Sequence, residues 1–289
     1  MKVAIIGGYG KMGQWCARFL LKEGMQIVIT GRNRKKLLAA GKQLGVSTAT
    51  NIQAVKQADV VIISVPLDNF EAVVKLIAPH TRPEQLIFDV TSLKTDPLEI
   101  MHHYIENGTI LGTHPVFGPG ANGISHQNCV LTPTDKKETI LAGKVRHYLE
   151  KRGANVSIMS PQEHDRMMGV VLGLAHFIAI VSADTLLSFK KFQEMKKIGG
   201  TTFKLLYTLI ESVISEDPAL YASLQMNFPN IKQVESLFQS NTKTWADIVK
   251  NEDKQGFAHK MNAIREKLEK TDPSFRHAYE NMYRLTEKL

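Results

Sequence analysis

One short segment of the chain has residue types suited to proton transfer, and it contains a histidine. Segment 112–119 reads GTHPVFGP, so His114 follows a short apolar run and precedes a loop rich in glycine and proline. A histidine held at a strand end can accept a proton from a substrate hydroxyl near neutral pH. A His-Pro pair is also common in plain turns, so this interpretation depends on what accompanies it.

A glycine-rich segment near the N-terminus predicts a dinucleotide-binding loop. It has the pattern GxGxxG and consists of Gly8, Tyr9, Gly10, Lys11, Met12 and Gly13. The pattern follows an apolar, strand-like run and opens a predicted helix, which is the context that this fingerprint requires. We expect Gly8 to permit the tight turn, Gly10 to let the backbone approach a pyrophosphate, and Gly13 to let helix and sheet pack closely. The helix N-terminus supplies N–H groups and positive dipole to the phosphates.

The residues after the second predicted strand bear on which dinucleotide is bound. Segment 30–34 reads TGRNR and contains no carboxylate. NAD-selective sites usually carry an acidic residue here for the ribose 2′-hydroxyl, whereas guanidinium groups can bind a 2′-phosphate. We therefore predict that Arg32 and Arg34 contact the cofactor and that NADP is preferred to NAD. The alternative is that these arginines merely begin a helix.

Two more strand ends carry candidate ligand contacts, because open α/β sheets bind ligands at the carboxyl ends of their strands. One end is predicted to line the cofactor path and consists of Ser64, Val65 and Pro66. The other is predicted to deliver hydroxyls and an ammonium toward the reacting end, with Thr91 beside the cofactor, and contains Thr91, Ser92 and Lys94. Serine and threonine are also ordinary loop residues.

A doubly wound sheet would bring these strand ends together. Val/Ile/Leu runs alternate with helical stretches up to residue 158, which is typical of parallel strands covered on both faces. The predicted strands are 2–7, 26–30, 59–65, 85–90, 109–113, 128–132 and 155–159. The predicted helices are 11–22, 34–44, 69–78, 96–106 and 136–152. We predict the α/β class, with a Rossmann-type, doubly wound parallel sheet over residues 1–159.

The pattern becomes helical at residue 160. Segment 160–163, SPQE, has a capping-box sequence with proline at the first helical position. Breaks follow at Pro218, Pro229, Pro273 and a Gly-Gly pair at 199–200. We predict an all-α domain over residues 160–289. Its first helix, about 161–189, holds the longest apolar run, which is shorter than a membrane span, so we expect a core helix that is buried partly against its symmetry mate, and no membrane partner.

Composition is that of a globular, cytoplasmic protein. The 289 residues are 43% hydrophobic and 22% charged, and the chain enters a strand without a signal peptide. Cys16 and Cys129 match no metal or redox spacing, so we expect free thiols in a reducing compartment and no metal. The net charge of +8 is scattered. It predicts a small anionic substrate, or only a solvated basic surface, and no nucleic-acid partner.

The motifs together resemble those of the prephenate/arogenate dehydrogenases of tyrosine biosynthesis, particularly the compact archaeal type without a fused mutase domain. The matching segments are GGYGKMG at 7–13, DVTSLK at 89–94, GTHPVFGPG at 112–120, EHDRMMG at 163–169, LGLAHF at 172–177 and DPALYA at 217–222. The resemblance implies an oxidoreductase that decarboxylates prephenate or arogenate oxidatively, passing a hydride from ring C4 to NAD(P). It also implies a homodimer formed through the helical domain.

The resemblance assigns roles to individual residues. His114 matches the catalytic histidine, which accepts the proton of the ring hydroxyl, and Ser92 matches a hydroxyl that orients it. His164 and His176 match two other active-site histidines. We predict both as substrate contacts, together with Thr113 and Lys94.

One departure leaves the substrate open. Many bacterial members carry an arginine just after the DPxLYA segment, where it binds the side-chain carboxylate of the substrate. Segment 225–230 of this chain reads QMNFPN and has no arginine. Lys94, Lys232 or a residue of a partner chain would have to replace it, so the sequence does not choose between prephenate and arogenate.

Two other functions remain open. Another NADP-dependent β-hydroxyacid or imine reductase would keep the dinucleotide site, would commonly use a lysine in the second domain, and would not require His114. A non-catalytic dinucleotide-sensing module would explain the glycine loop but would leave the His114 segment without a purpose.

Overall fold

The computed structural model describes residues 1–287. The chain divides into two compact units, Met1–Met168 and Gly169–Leu289. The first unit therefore includes one helix beyond residue 159, where the sequence pattern places the domain boundary.

An eight-stranded sheet forms the centre of the first unit. Its strands are β1 (Lys2–Ile6), β2 (Gln26–Ile29), β3 (Ser47–Thr48), β4 (Val60–Ile63), β5 (Leu86–Asp89), β6 (Thr109–Pro115), β7 (Asn128–Thr132) and β8 (Asn155–Ile158). Their order in the sheet is β3-β2-β1-β4-β5-β6-β7-β8. This is the predicted Rossmann-type arrangement, so the expected fold class is confirmed.

The predicted strands all occur, but one of them runs opposite to its neighbour. β7 pairs with β6 in antiparallel register, with His114 opposite Val130, whereas the remaining pairs are parallel. The predicted parallel sheet is therefore mostly parallel, with one antiparallel pair that the sequence pattern did not indicate. The physical reason is the β6–β7 connection, because residues 116–127 contain no helix, and a parallel pair needs a longer, usually helical, crossover.

Seven helices accompany the sheet: α1 (Lys11–Lys22), α2 (Arg34–Leu44), α3 (Asn51–Gln57), α4 (Phe70–Ile77), α5 (Thr95–Tyr104), α6 (Lys136–Glu150) and α7 (Pro161–Met168). Alternate residues of β1 enter two separate cores, because successive side chains of a strand point to opposite faces. Ala4 and Ile6 pack with residues of α3, α4 and α5, while Val3 and Ile5 pack with residues of α1 and α2. Both faces of the sheet are thus covered.

The described part of the second unit contains helices and no strand. A π-helical segment, Gly169–Leu174, is followed by α8 (Ala175–Leu187), α9 (Phe192–Ile198), α10 (Thr201–Ile214), α11 (Pro218–Asn227), α12 (Ile231–Lys250), α13 (Lys254–Thr271) and α14 (Ala278–Thr286). The predicted all-α character of this region is confirmed.

The apolar helix at the start of the helical region is not a core helix of the single chain. Over Pro161–Leu187 its most apolar window has a mean hydropathy of 2.0, but only 17% of that window is buried within the chain. Val171 is 53% exposed and Leu187 is 68% exposed. The expectation of burial is wrong within one chain, because the described chain does not cover these side chains. Among the described residues this is the one helix long and apolar enough to cross a membrane.

Candidate functional site

The glycine loop joins β1 to α1 through a tight backbone contact. Gly7, at φ +81°, is the loop residue with left-handed backbone, and a Cβ there would lie 2.2 Å from the carbonyl oxygen of Ser64. We expected Gly8 to permit the tight turn, and the residue of this turn with left-handed backbone is Gly7. A Cβ on Gly13 would lie 2.8 Å from the Gly7 carbonyl oxygen. Both positions require glycine: Gly13 does so as the fingerprint predicts for a loop that packs helix against sheet, and Gly7 directly precedes the pattern.

The N-terminus of α1 suits an anionic ligand. The helix begins at Lys11, its N-cap is Gly10, which has no side chain to cap it, and its first turn contains no acidic residue. First-turn N–H groups of an α-helix have no acceptor within the helix and attract phosphate. The ring of Tyr9 lies against Gly31, just after β2, because a Cβ on Gly31 would be only 2.1 Å from the ring carbon Cδ1. These features fit the phosphates of a dinucleotide.

Two arginines lie where β2 leads into α2. The Arg32 guanidinium is exposed, and its Nη1 donates to the Asn69 side-chain oxygen at 2.9 Å. Arg34 is the exposed first residue of α2, and Asn33 caps that helix by accepting from the Lys36 N–H at 3.0 Å. No acidic residue stands in the first turn of α2. The arrangement offers positive charge and no carboxylate to an anionic group.

The segment after β4 lies against the glycine loop, as expected. A Cβ on Gly7 would meet the Ser64 carbonyl oxygen and, at 2.9 Å, the Val65 side chain. Ser64 and Val65 are half-buried and Pro66 is exposed. The structure therefore brings this predicted group and the glycine loop together.

Lys94 differs from its expected role as a substrate contact. Its side chain is fully buried, and its ammonium forms an ion pair with the buried Asp89 and donates to the Thr113 carbonyl oxygen at 2.8 Å. Burial lowers the pKa of Lys94, although the Asp89 carboxylate opposes this shift. The Thr91 hydroxyl also donates to Asp89, at 2.6 Å. Because its ammonium is occupied inside the fold, Lys94 holds the ends of β5 and β6 together.

His114 lies in β6 and is only 4% exposed. Its Nδ1 is 2.8 Å from Nε2 of His164, which is fully buried in α7. Burial holds the pKa of His114 well below its ordinary value, and the nearby His164 and Lys94 lower it further. The imidazole is therefore neutral at neutral pH and able to accept a proton. From residue type alone, His114 was expected to titrate near neutral pH, because the sequence does not show that its side chain is buried.

Asp165 contacts His164, which in turn contacts His114. Its Oδ1 is 2.7 Å from His164 Nδ1, and its two oxygens accept the Lys94 and Thr95 backbone N–H groups at 2.8 Å each. Burial raises the pKa of Asp165, but the hydrogen bonds from His164, Thr95 and Lys94 outweigh it, so the net shift is downward. Sequence reasoning missed this residue, although its place next to His164 in the EHDR segment was a usable signal.

Ser92 is half-buried in the turn between β5 and α5. The hydrogen-bond partner that the structure gives His114 Nδ1 is Nε2 of His164. The orienting role expected for Ser92 therefore stays a prediction. Thr113 is half-buried, and its hydroxyl donates to the Asp89 carbonyl oxygen.

The loop after His114 is attached to α1. The Trp15 indole N–H donates to the Ala121 carbonyl oxygen at 2.8 Å, and the Trp15 ring meets the edge of Phe117 at a centroid distance of 4.7 Å. Trp15 is 5% exposed. Because α1 begins at the glycine loop, this residue connects the loop after His114 to the helix that follows the fingerprint.

His176 lies in the helical unit. Its ring meets the edge of Tyr221 at a centroid distance of 4.8 Å, and burial lowers its pKa. Its Nδ1 is buried and has no hydrogen-bond partner among residues 1–287. In segment 225–230, which contains no arginine, Gln225 donates to the Gly173 carbonyl oxygen of the π-helical segment at 2.9 Å. π-Helical turns occur frequently at functional sites.

Both cysteines are buried and free. Burial raises the pKa of the Cys16 thiol to about 12 and that of Cys129 to about 11, so both are protonated. Among residues 1–287, no group of three or more His, Cys, Asp or Glu side chains could hold a metal ion.

Comparison with protein-family models identifies the family of this chain. Residues 16–158 match the nucleotide-binding domain of prephenate dehydrogenase, and residues 160–263 match its dimerization domain. The chain belongs to the prephenate dehydrogenase family. The resemblance inferred from the motifs is confirmed, and neither alternative function is favoured. The prephenate dehydrogenase match begins after the glycine loop, so the fit of that loop to a dinucleotide rests on its own geometry.

Similar proteins include relatives that are longer than this chain. A Methanocaldococcus jannaschii protein, described as a probable arogenate/prephenate dehydrogenase, is 38% identical over 265 residues, which are 90% of this chain and 59% of that protein. A Haemophilus influenzae T-protein is 27% identical over 270 residues, which are 92% of this chain and 66% of that protein. The chain thus spans about three fifths to two thirds of the length of these relatives.

Solved structures share the fold. Prephenate dehydrogenase from A. aeolicus, in complex with hydroxyphenyl propionate and NAD+, has a TM-score of 0.77 at 22% identity and covers 94% of this chain and 98% of its own. Arogenate dehydrogenase from Synechocystis has a TM-score of 0.69 at 17% identity and covers 92% of this chain and 99% of its own.

Proposed function

We propose that the protein catalyses the oxidative decarboxylation of prephenate or arogenate with a nicotinamide dinucleotide, and that His114 is the base. The observation that carries the proposal is a buried, neutral imidazole at the end of β6 in a chain of the prephenate dehydrogenase family. Because its pKa is lowered, the imidazole is unprotonated at neutral pH, so its free nitrogen can accept a proton. The product would enter tyrosine biosynthesis.

The chemistry needs positioning and one base. The substrate's ring hydroxyl gives its proton to His114, the carbon that bears it loses a hydride, and the carbonyl forms. Loss of carbon dioxide then sends the bonding electrons through the ring to the carbonyl oxygen, and the ring becomes aromatic as that oxygen takes the proton back from His114. When bound, the nicotinamide supplies the hydride acceptor. Because aromatisation drives the decarboxylation, the protein's main tasks are to orient the substrate and accept the proton.

We propose that the dinucleotide binds along the glycine loop and the β4 end, with NADP preferred to NAD. The residues in contact with it would be Gly8, Tyr9, Gly10, Lys11, Met12, Gly13, Arg32, Arg34, Ser64, Val65, Pro66 and Thr91. The NAD+ held by the A. aeolicus protein supports a nicotinamide dinucleotide in general. Support for NADP comes from the two arginines and from the lack of an acidic residue in the first turn of α2.

For the substrate, we keep Ser92, Thr113 and His176 as proposed contacts. Lys94 and His164 are better described as positioning residues, because the polar atoms of both are already bonded inside the fold. The residue that binds the side-chain carboxylate in place of arginine is then Lys232 or a residue from a second copy of the chain.

We also propose a homodimer formed through residues 160–289, which we retain as the substrate and dimerisation domain. The match to a dimerization domain supports it. Exposed apolar side chains on the helix Pro161–Leu187, including Val171 and Leu187, would be covered by the second copy. Buried free thiols are compatible with the reducing cytoplasm.

One assay tests the proposed function. Purified protein is mixed with NADP+ or NAD+ and then with prephenate or arogenate, and the absorbance of the reduced nicotinamide is followed. We expect turnover by the wild type, and a kcat lower by about 10²–10⁴-fold in His114→Ala, the usual contribution of general-base catalysis. The matched control is His147→Ala, an exposed histidine of α6. No reduction with either substrate, or a near-normal kcat in His114→Ala, would contradict the proposal.

A further inference from the structure

We propose that Asp165 and His164 form a buried hydrogen-bond relay that selects the tautomer of His114, so that Asp165 is a positioning residue for the base. The inference rests on the proposed function of His114 and extends it to how the imidazole is held. The three side chains are joined by contacts of 2.7 and 2.8 Å, and each is buried.

The relay begins at the Asp165 carboxylate. This group already accepts two backbone N–H groups, from Lys94 and Thr95, and an ionised carboxylate has no proton to donate. The same hydrogen bonds hold its pKa below the ordinary aspartate value, against the upward effect of burial. The short contact with His164 is therefore a hydrogen bond in which His164 Nδ1 donates.

The tautomer of each imidazole follows in turn. A neutral imidazole carries one N–H donor and one acceptor nitrogen. If His164 donates from Nδ1, its Nε2 is an acceptor, and the 2.8 Å contact requires His114 Nδ1 to donate to it. The remaining nitrogen of His114, Nε2, then carries the lone pair. The relay thus makes Nε2 the atom that accepts the substrate proton.

The same arrangement stabilises the product of that step. As the hydroxyl O–H bond breaks, a new N–H bond forms at His114 Nε2, and the Nδ1–H bond to His164 is kept. The imidazolium then faces the Asp165 negative charge across one neutral ring. Orienting an imidazole and stabilising its cation is the established task of a buried aspartate in the Ser-His-Asp triad. The Lys94 ammonium opposes the cation, but the carboxylate of its partner Asp89, the last residue of β5, offsets the lysine charge.

Asp165 is itself fixed by the start of α5. The N-cap of α5 is Lys94, whose side chain makes no capping hydrogen bond within the described chain. Asp165 supplies the missing acceptor from α7, because it receives the N–H groups of the N-cap and of the first helical residue. Its replacement could therefore also loosen α5, so the test needs a readout that a purely structural role would not change.

The experiment uses the full chain with ¹⁵N-labelled histidine, because nitrogen chemical shifts distinguish Nδ1–H from Nε2–H tautomers. In the wild type at neutral pH, we expect Nδ1–H at both His114 and His164. Asp165→Asn removes the negative charge that favours Nδ1–H at His164, and an amide nitrogen in place of Oδ1 would donate to His164 Nδ1, so we expect an Nε2–H population to appear at both histidines. We expect kcat to fall by up to about 10⁴-fold, the loss that the corresponding change causes in a triad, with a much smaller change in KM.

Two further variants keep the test decisive. His164→Gln interrupts the relay without touching the α5 N-terminus, and it should give a mixture of His114 tautomers even if Asp165→Asn fails to fold. Thr95→Val is the control, since it removes the Thr95 side-chain hydrogen bond to Asp165 but keeps the carboxylate. It should keep the Nδ1–H tautomers and a kcat close to that of the wild type.

The outcomes separate the two proposals. An Nε2–H tautomer at His114 in the wild type, a doubly protonated His164, or wild-type tautomers and kcat in the relay variants would each overturn the relay. The expected tautomers, without oxidation of prephenate or arogenate, would support the relay and contradict the proposed substrate class.

Discussion

Lys94 and Asp89 form an ion pair in which neither side chain is exposed to solvent. The second Asp89 oxygen, Oδ2, has no hydrogen-bond partner among residues 1–287, and Oδ1 receives the lysine ammonium together with the Thr91 N–H and hydroxyl. We predict that Lys94→Met lowers the free energy of unfolding by about 3–5 kcal/mol, because it leaves the carboxylate unpaired inside the fold. Urea unfolding measures this loss.

The control for this prediction is Lys75→Met. Lys75 and Glu71 form a pair at 3.7 Å in which both side chains are more than half exposed. Exposed pairs contribute little to stability, so the midpoint of unfolding should hardly move. Similar losses in the two variants would show that burial of the Lys94 pair is not the source of its effect.

The pH dependence should reflect the low pKa of His114 in the folded chain. Burial, His164 and Lys94 hold that pKa well below 6.5, the ordinary value that the unfolded chain regains. Between the two values the unfolded chain binds a proton that the folded chain does not, so the free energy of unfolding falls as the pH is lowered through this range. The acidic limb of the kcat/KM profile should likewise lie below pH 6.5. His114→Asn should remove this part of the stability slope, and His147→Asn should keep it.

Cofactor preference should depend on Arg32. Arg32→Ala is expected to weaken the binding of NADP by about 1–3 kcal/mol, the value of a charge-assisted hydrogen bond, and to leave NAD binding nearly unchanged. Titration with both cofactors measures the difference. Lys35→Ala, an exposed change of the same charge in α2, controls for the general loss of positive charge. Equal weakening of NADP and NAD in Arg32→Ala would contradict a contact with the 2′-phosphate.

The exposed apolar helix predicts the state of assembly. Light scattering at micromolar concentration should give a mass about twice the 32.3 kDa of one chain. Val171→Asp should shift the mass toward that of one chain, because it places a charge among apolar side chains that the second copy covers. Leu38→Asp makes the same kind of change at a residue of the first unit that is 52% exposed and should keep the dimer. A single-chain mass for the wild type would contradict the dimer.

Local patterns predicted most of the sheet but not every element. The strands with continuous apolar runs were identified because buried parallel strands have that composition. β3 and α3 were missed, since Ser47–Thr48 has no apolar run and Asn51–Gln57 is short and largely polar. The direction of β7 could not be predicted either, because hydrophobic periodicity is the same in parallel and antiparallel strands.

At the candidate site, sequence patterns also failed to predict contacts between residues that are far apart in the chain. His114 and His164 were singled out by residue type and resemblance, but they are fifty residues apart, and no local pattern indicates that their rings meet. Asp165 was missed because its partners include backbone N–H groups about seventy residues earlier in the chain. Lys94 was assigned to the substrate because an ammonium at a strand end is typical of anion sites, and only the fold shows that Asp89 already occupies it.

The burial of Trp15 gives the first unit a fluorescent reporter of its own. The sequence contains two tryptophans, and the other, Trp245, lies half-buried in the helical unit beside Phe257. After Trp245→Phe, the remaining emission comes from the indole that contacts Phe117 and Ala121. Its wavelength and intensity should then follow cofactor binding and movement of the loop after His114 in real time, without an added dye.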